Sequence, residues 1–150
     1  MRLSGLLSEE TIIISLSDKD KQSVIEELLE LAMKTGKITN RETALKAVMD
    51  REQLMSTGLE KGVAVPHAKS SAASELTMSL GISKEGIDFE SADGKPSHLF
   101  FFILAPEAAA GPNVQVLAQI ARLTSDPEFC QALKSASSPM EVLEIIRDAE

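Results

Sequence analysis

Two histidines occur in the 150 residues, His67 and His98, and the first is placed where it could do chemistry. Val63-Ala64-Val65 is a short apolar run that predicts a buried strand, Pro66 ends it, and His67 follows at the strand's end. Open α/β sheets gather their sites at strand ends. An imidazole can be neutral and nucleophilic near neutral pH, which is what accepting a phosphoryl group requires. On spacing alone a surface or capping histidine, the commoner use of a loop residue, fits too. Just upstream, Ser56-Thr57-Gly58-Leu59-Glu60-Lys61-Gly62 has no hydrophobic period and carries two glycines, so it predicts a loop with unusual backbone angles. The Ser56 and Thr57 hydroxyls and glycine-exposed amides could donate to an anion, although turn formation uses the same residue types. Arg51 closes the predicted second helix and offers a planar fork that matches phosphate oxygens; a plain ion pair with Glu52 or Asp50 is the alternative.

The elements that must position these residues follow from periodicity. Ile12 to Leu16 predicts a first strand, and Ser17 with Asp20 three residues on predicts a capped helix whose apolar positions run from Val24 to Ala32, stopped at Gly36. Thr39-Asn40-Arg41-Glu42 predicts a second capped helix reaching about Gln53. Leu76, Met78, Leu80 and Ile82 alternate with small polar residues or glycine as in a half-buried strand. Ile87-Asp88-Phe89 predicts a short edge strand, Asp93-Gly94 a tight turn, and the apolar stretch from His98 to Ala105 a central strand covered on both faces. Three helical patterns close the chain, around Val114 to Leu123, after Asp126-Pro127 and after Ser138-Pro139. Two helices precede the later strands and three follow them. The expectation is one domain spanning residues 1–150, of α/β (α+β) class, with helices on both sides of a mixed sheet of four or five strands.

Composition narrows the function. The net charge of −8 argues against nucleic acid, which requires a basic surface, and suits a basic protein partner. The single Cys130 cannot close an internal disulfide, and near Phe129 and Leu133 it reads as packing. Neither a phosphate-binding glycine loop nor a set of metal-ligand spacing occurs, so no cofactor and no metal are expected. The N-terminal segment turns acidic too soon for a signal peptide, and the longest apolar run, Leu99 to Ala105, is far below a membrane span. A cytoplasmic protein without membrane insertion is the expectation. His98, two residues after Pro96, reads as a strand-end surface residue.

The string Arg51-Glu52-(x3)-Ser56-Thr57-Gly58-(x3)-Gly62-Val63-Ala64-Val65-Pro66-His67-Ala68 resembles the signature of phosphotransferase-system (PTS) IIA domains of the fructose/mannitol type. Leu3…Leu6-Leu7-Ser8-Glu9, Asp20-Lys21, Gly86-Ile87-Asp88-Phe89, Asp93-Gly94-Lys95-Pro96 and Leu99 to Pro106 resemble its free-standing, nitrogen-regulatory branch. The resemblance implies a three-layer α/β/α sandwich. It implies that His67 takes a phosphoryl group from a histidine-containing phosphocarrier protein (HPr-like) and passes it to a downstream IIB domain or uses it as a mark toward a regulated target protein. Arg51, Ser56 and Thr57 would then stabilise the phosphoryl group. Family members carry a second histidine at the start of the helix after the apolar strand; here that segment reads Gly111-Pro112-Asn113-Val114-Gln115-Val116-Leu117. Asn113 takes its place, able to donate from its amide but neither cationic nor a proton shuttle, and a plain helix cap is the competing use. A regulatory output is favoured over sugar transport, with a binding module of weak or lost transfer as the alternative.

Overall fold

The computed structural model describes residues 2–17, 20–108 and 111–150, with residues 111 and 112 described in their backbone alone. Among the described residues there are five strands and five α-helices: β1 Ile12–Ile13, α1 Lys21–Met33, α2 Arg41–Leu54, β2 Val63–Ala64, β3 His67–Lys69, β4 Thr77–Ile87, β5 Ser97–Ala105, α3 Gly111–Thr124, α4 Pro127–Ser135 and α5 Pro139–Ala149. The sheet order is β1-β4-β5-β2, with β3 also on β5. β1 runs parallel to β4, β4 antiparallel to β5, and β2 and β3 parallel to β5, so the sheet is mixed as expected.

The apolar β5 stretch divides by the strand's period of two. Leu99, Phe101 and Ile103 join Met78, Leu80 and residues of α3, α4 and α5 in one core. Phe100, Phe102 and Leu104 join α1 and α2 in a second core on the other face. Each of these six β5 side chains is at most 1% exposed, which is why the strand shows no polar face and why three layers form.

Local expectations needed revision where a side chain found a better partner. The first strand pairs only at Ile12 and Ile13. α1 is capped by Asp20, whose carboxylate accepts from Ser23 N and Oγ, rather than by Ser17. α2 is capped by Asn40, accepting from Thr43 N, one residue after Thr39. Ile87 ends β4 past an irregularity after Ile82, and Phe89 is a buried loop residue rather than part of an edge strand. His67 does not sit in a loop: it opens β3. Pairs Val63↔Leu99 and Ala64↔Phe100 continue as His67↔Ile103 and Ala68↔Leu104 with unchanged offset. Pro66 therefore interrupts one continuous strand, and its carbonyl still accepts from Ile103 N.

Three surface carboxylates titrate below their ordinary range because backbone amides donate to them: Asp20 from Ser23, Asp93 from Lys95, Glu141 from Ser137. A lowered folded-state value contributes stability above the unfolded value of about 4 and loses it as pH falls through the folded one. Thermal stability is expected to hold as pH falls to about 4 and to decline below that. Asp20→Asn, Asp93→Asn and Glu141→Gln combined should flatten that decline, as read by melting temperature against pH.

Candidate active site

The β2–β3 strand forms the sheet's edge, so a residue there can be met from both helical layers. A strap at residues 57–59 covers the β2 part: Val65 N donates to Thr57 O at 3.0 Å, and Leu59 N to Val63 O at 2.7 Å. The turn between strap and strand passes through Lys61 and Gly62, both at positive φ. Gly58 is required for a different reason. A Cβ there would lie 2.9 Å from Phe89 O and 2.9 Å from Ser91 Cα, so the strap can lie this close to residues 89–91 only without a side chain.

Beyond the strap, His67 emerges half-buried on the face of the strand that carries Val63 and Val65. Its Nδ1 lies 2.6 Å from Val65 O. A carbonyl can only accept, so Nδ1 carries a proton, and in the neutral ring Nε2 is the nitrogen that keeps its lone pair. His67 lines a cleft of about 380 Å³ together with Arg51 from α2, Asn113 from α3, and Ala47, Ala68 and Lys69. A neighbouring cavity of about 230 Å³ is lined by Arg51, Met55, Ser56, Thr57, Val65, His67 and Leu117, among others. The other four residues singled out in the sequence, Arg51, Ser56, Thr57 and Asn113, thus line the two hollows at His67, with Arg51 and His67 shared by both.

Their hydrogen bonds separate them. Arg51 Nη1 donates to Met55 O at 3.0 Å, one of the five N–H groups of its fork. Ser56 Oγ donates to Phe89 O at 2.7 Å. Thr57 Oγ1 donates to Glu52 at 2.6 Å, and Thr57 N donates to the same carboxylate at 2.8 Å. Each hydroxyl has one proton, and both are committed to the loop. Asn113 is the third residue of α3, past the cap position, and only 7% exposed. Its Oδ1 is the one buried side-chain polar atom among the described residues that lacks a hydrogen-bond partner.

Two contributors were missed in the sequence. Lys69 lines the cleft two residues from His67, on the same face of the strand, and makes no ion pair among the described residues. The signal was available, since a strand through His67 puts i+2 beside it. Glu52, which with Asp50 was the alternative ion-pair partner for Arg51, is buried instead, 2.8 Å from Lys21 Nζ. His98 stands at the other end of β5, five residues before the partner of His67 and so about 16 Å away along the strand. Its Nδ1 lies 2.9 Å from Ser83 O. Cys130 is buried with its Sγ toward Thr124 O, and burial pushes its thiol up, in keeping with packing. No group of three or more His, Cys, Asp or Glu that could hold a metal occurs among the described residues, nor does a helix long and apolar enough to cross a membrane.

A sheet-edge histidine in a cleft lined by an arginine and an amide from opposite layers has the chemistry to meet an anionic group. Residues 5–149 match the family described as phosphoenolpyruvate-dependent sugar phosphotransferase system, EIIA 2. The chain belongs to that family, whose members are phosphotransferase components. It is 35% identical over 146 residues to the PTS system fructose-specific EIIABC component of Bacillus subtilis, covering 97% of this chain and 23% of that protein. It is 34% identical to the fructose-specific EIIA component of Haloferax volcanii, covering 97% of this chain and 95% of that one. The chain thus spans about a quarter of the first relative and nearly all of the second. The crystal structure of the nitrogen regulatory protein IIA-Ntr from Neisseria meningitidis superposes with a TM-score of 0.89 at 29% identity, covering 96% and 98% of the two chains.

Proposed function

We propose that this protein accepts a phosphoryl group on His67 Nε2 from a histidine-phosphorylated carrier protein and presents it to a second protein. The observation that carries the reading is His67, its Nδ1 held on Val65 O, in a cleft shared with Arg51, Lys69 and Asn113. The Nε2 lone pair attacks phosphorus in line. The carrier's N–P bond breaks with its electron pair returning to the carrier's ring nitrogen, and the Nε2–P bond forms. His67 keeps its Nδ1 proton on Val65 O, so the product is a phosphoimidazolium, from which the neutral imidazole departs readily, taking back the N–P electron pair, in onward transfer. Arg51 and Lys69 offset the phosphoryl charge, and the Asn113 amide donates one neutral bond. Ser56 and Thr57 serve by holding the strap.

Partners of protein size fit the surface. Leu54, Met55, Leu59 and Val114 are four of the five exposed large hydrophobic residues among those described. Met55 and Leu59 line the cavity beside His67, Leu54 adjoins Met55 and Val114 adjoins Asn113. An exposed apolar collar beside the cleft marks a surface for protein contact. The receiving partner is a IIB domain or a regulated target; the likeness to IIA-Ntr favours the regulatory output.

Intact-mass measurement after incubation with phosphoenolpyruvate, the general phosphotransferase enzyme and the carrier tests the proposal. One acid-labile phosphate on the wild type and none on His67→Ala is the expected result. Full labelling of His67→Ala would overturn it. The neutral Asn113 favours a second reading, a binding module that has given up transfer. Labelling that is absent from the wild type and appears in Asn113→His would establish that one.

A further inference from the structure

A line of hydrogen bonds runs from a buried carboxylate to His67, and the transfer chemistry leaves it unexplained. Glu52 turns away from the cleft, with its side chain only 3% exposed. Oε1 accepts from Lys21 Nζ at 2.8 Å and from Thr57 N at 2.8 Å, and Oε2 accepts from Thr57 Oγ1 at 2.6 Å. Thr57 O accepts from Val65 N at 3.0 Å, and Val65 O accepts from His67 Nδ1 at 2.6 Å. Lys21 also lies 4.9 Å from the centroid of Phe89, whose carbonyl holds Ser56. Burying an ion pair is costly, and a hydrophobic pair of similar volume would serve stability as well or better. A fixed carboxylate that grips one residue through both its amide and its hydroxyl is a device for placing that residue.

We infer that Glu52 is a positioning residue for His67. By clamping Thr57 it sets the height of the strap. The strap sets Val65, and the Val65 carbonyl selects the Nδ1–H tautomer and the ring orientation that leave Nε2 facing the cleft. Lys21 holds Glu52 from the far side, so α1, which contributes nothing to the cleft itself, supports the site. The link is made through placement of backbone groups, since each successive bond involves a different peptide unit. Its kinetic consequence rests on the proposed transfer, whereas its effect on the tautomer does not.

The test uses the full chain with nitrogen-15-labelled histidine and reads the His67 tautomer by NMR, alongside the rate of phosphorylation by the carrier. Glu52→Gln keeps the shape but can offer only one acceptor. Thr57→Val removes the hydroxyl donor, and Thr57→Ser restores it. In Glu52→Gln the Nδ1–H form is expected to lose its dominance, and the rate at saturating carrier to fall about ten-fold, the lower end of what outer-shell orienting groups contribute. The carrier concentration for half-maximal rate should stay unchanged, because the collar is untouched. Thr57→Val should move the same way by less, and Thr57→Ser should match the wild type. Glu52→Gln that is folded, keeps His67 Nδ1–H and keeps its rate would overturn the inference. Should Glu52→Gln not fold, identical tautomers in Thr57→Val and Thr57→Ser would overturn it equally. A wild type that shows the Nδ1–H form but takes no phosphate would remove the transfer reading, and the tautomers of the variants would still decide the role of Glu52.

Discussion

Asn113→Asp is expected to lower the rate of phosphoryl acceptance at His67 by about 100-fold, the scale on which loss of one preorganised donor to a developing oxyanion is felt. The argument starts from the unpartnered Oδ1. A buried acceptor without a bond costs about 1–3 kcal/mol, so the resting amide is held at a loss and has no bond to break when an anion enters. Rotation about its last torsion brings the N–H pole toward the phosphoryl oxygens and leaves Oδ1 for the donors of Arg51 or Lys69, which line the same cleft. Asp retains the shape, cannot donate when ionised, and adds a negative charge facing a negative group. Asn113→Ala should fall between Asp and wild type, since it removes the donor without adding charge. Asn113→His, which supplies a second ring donor, should equal or exceed the wild type. Stopped-flow transfer from the labelled carrier measures all four proteins. Equal rates for Asn, Asp and Ala would show that this position does not meet the phosphoryl group.

Much of the architecture was legible because it rests on periodicity. The apolar run from His98 to Ala105 announces a doubly covered strand, and two helical patterns before it and three after it announce the layers. His67 stood out for a different reason, as a histidine directly after the proline that follows an apolar run. The roles within the loop were not legible. Ser56 and Thr57 carry the donors an anion needs, but a hydroxyl proton goes to the acceptor that folding brings, here Phe89 O and Glu52. Glu52 sits next to Arg51 in sequence, yet neighbours on a helix point about 100° apart. One faces the cleft and the other turns inward to Lys21, 31 residues away in sequence. Nothing in the local pattern encodes that meeting. The strand through Pro66 was missed because proline reads as a stop, whereas here the Pro66 carbonyl still accepts from Ile103 N and the register carries on unchanged past the missing N–H.

Phe100 is where the core and the site meet. It is fully buried on the α1–α2 face, in register with Ala64, and packs edge-on against Phe89 with ring centroids 5.3 Å apart. Phe89 in turn lies under Lys21, and its carbonyl holds Ser56. Phe100→Ala should cost about 3–5 kcal/mol, the range for deleting a buried phenyl group, and a large share of the 5–15 kcal/mol by which domains are stable. Phe101→Ala deletes an equally buried ring on the opposite face, among the residues that pack with α3, α4 and α5, and should cost a similar amount. The two are distinguished by what the surviving folded molecules do. With Phe100 gone, Phe89 can sink into the space left behind, releasing Lys21 and Ser56, so the strap shifts and the His67 tautomer becomes mixed even far below the unfolding midpoint. With Phe101 gone, the Lys21–Glu52–Thr57 clamp keeps its supports and His67 retains its Nδ1 proton. Urea unfolding with an unchanged slope gives the stability loss. Histidine nitrogen shifts recorded at temperatures where both variants stay folded give the second half. Matching tautomers in the two variants would mean that the strap holds its place without the aromatic pair beneath it.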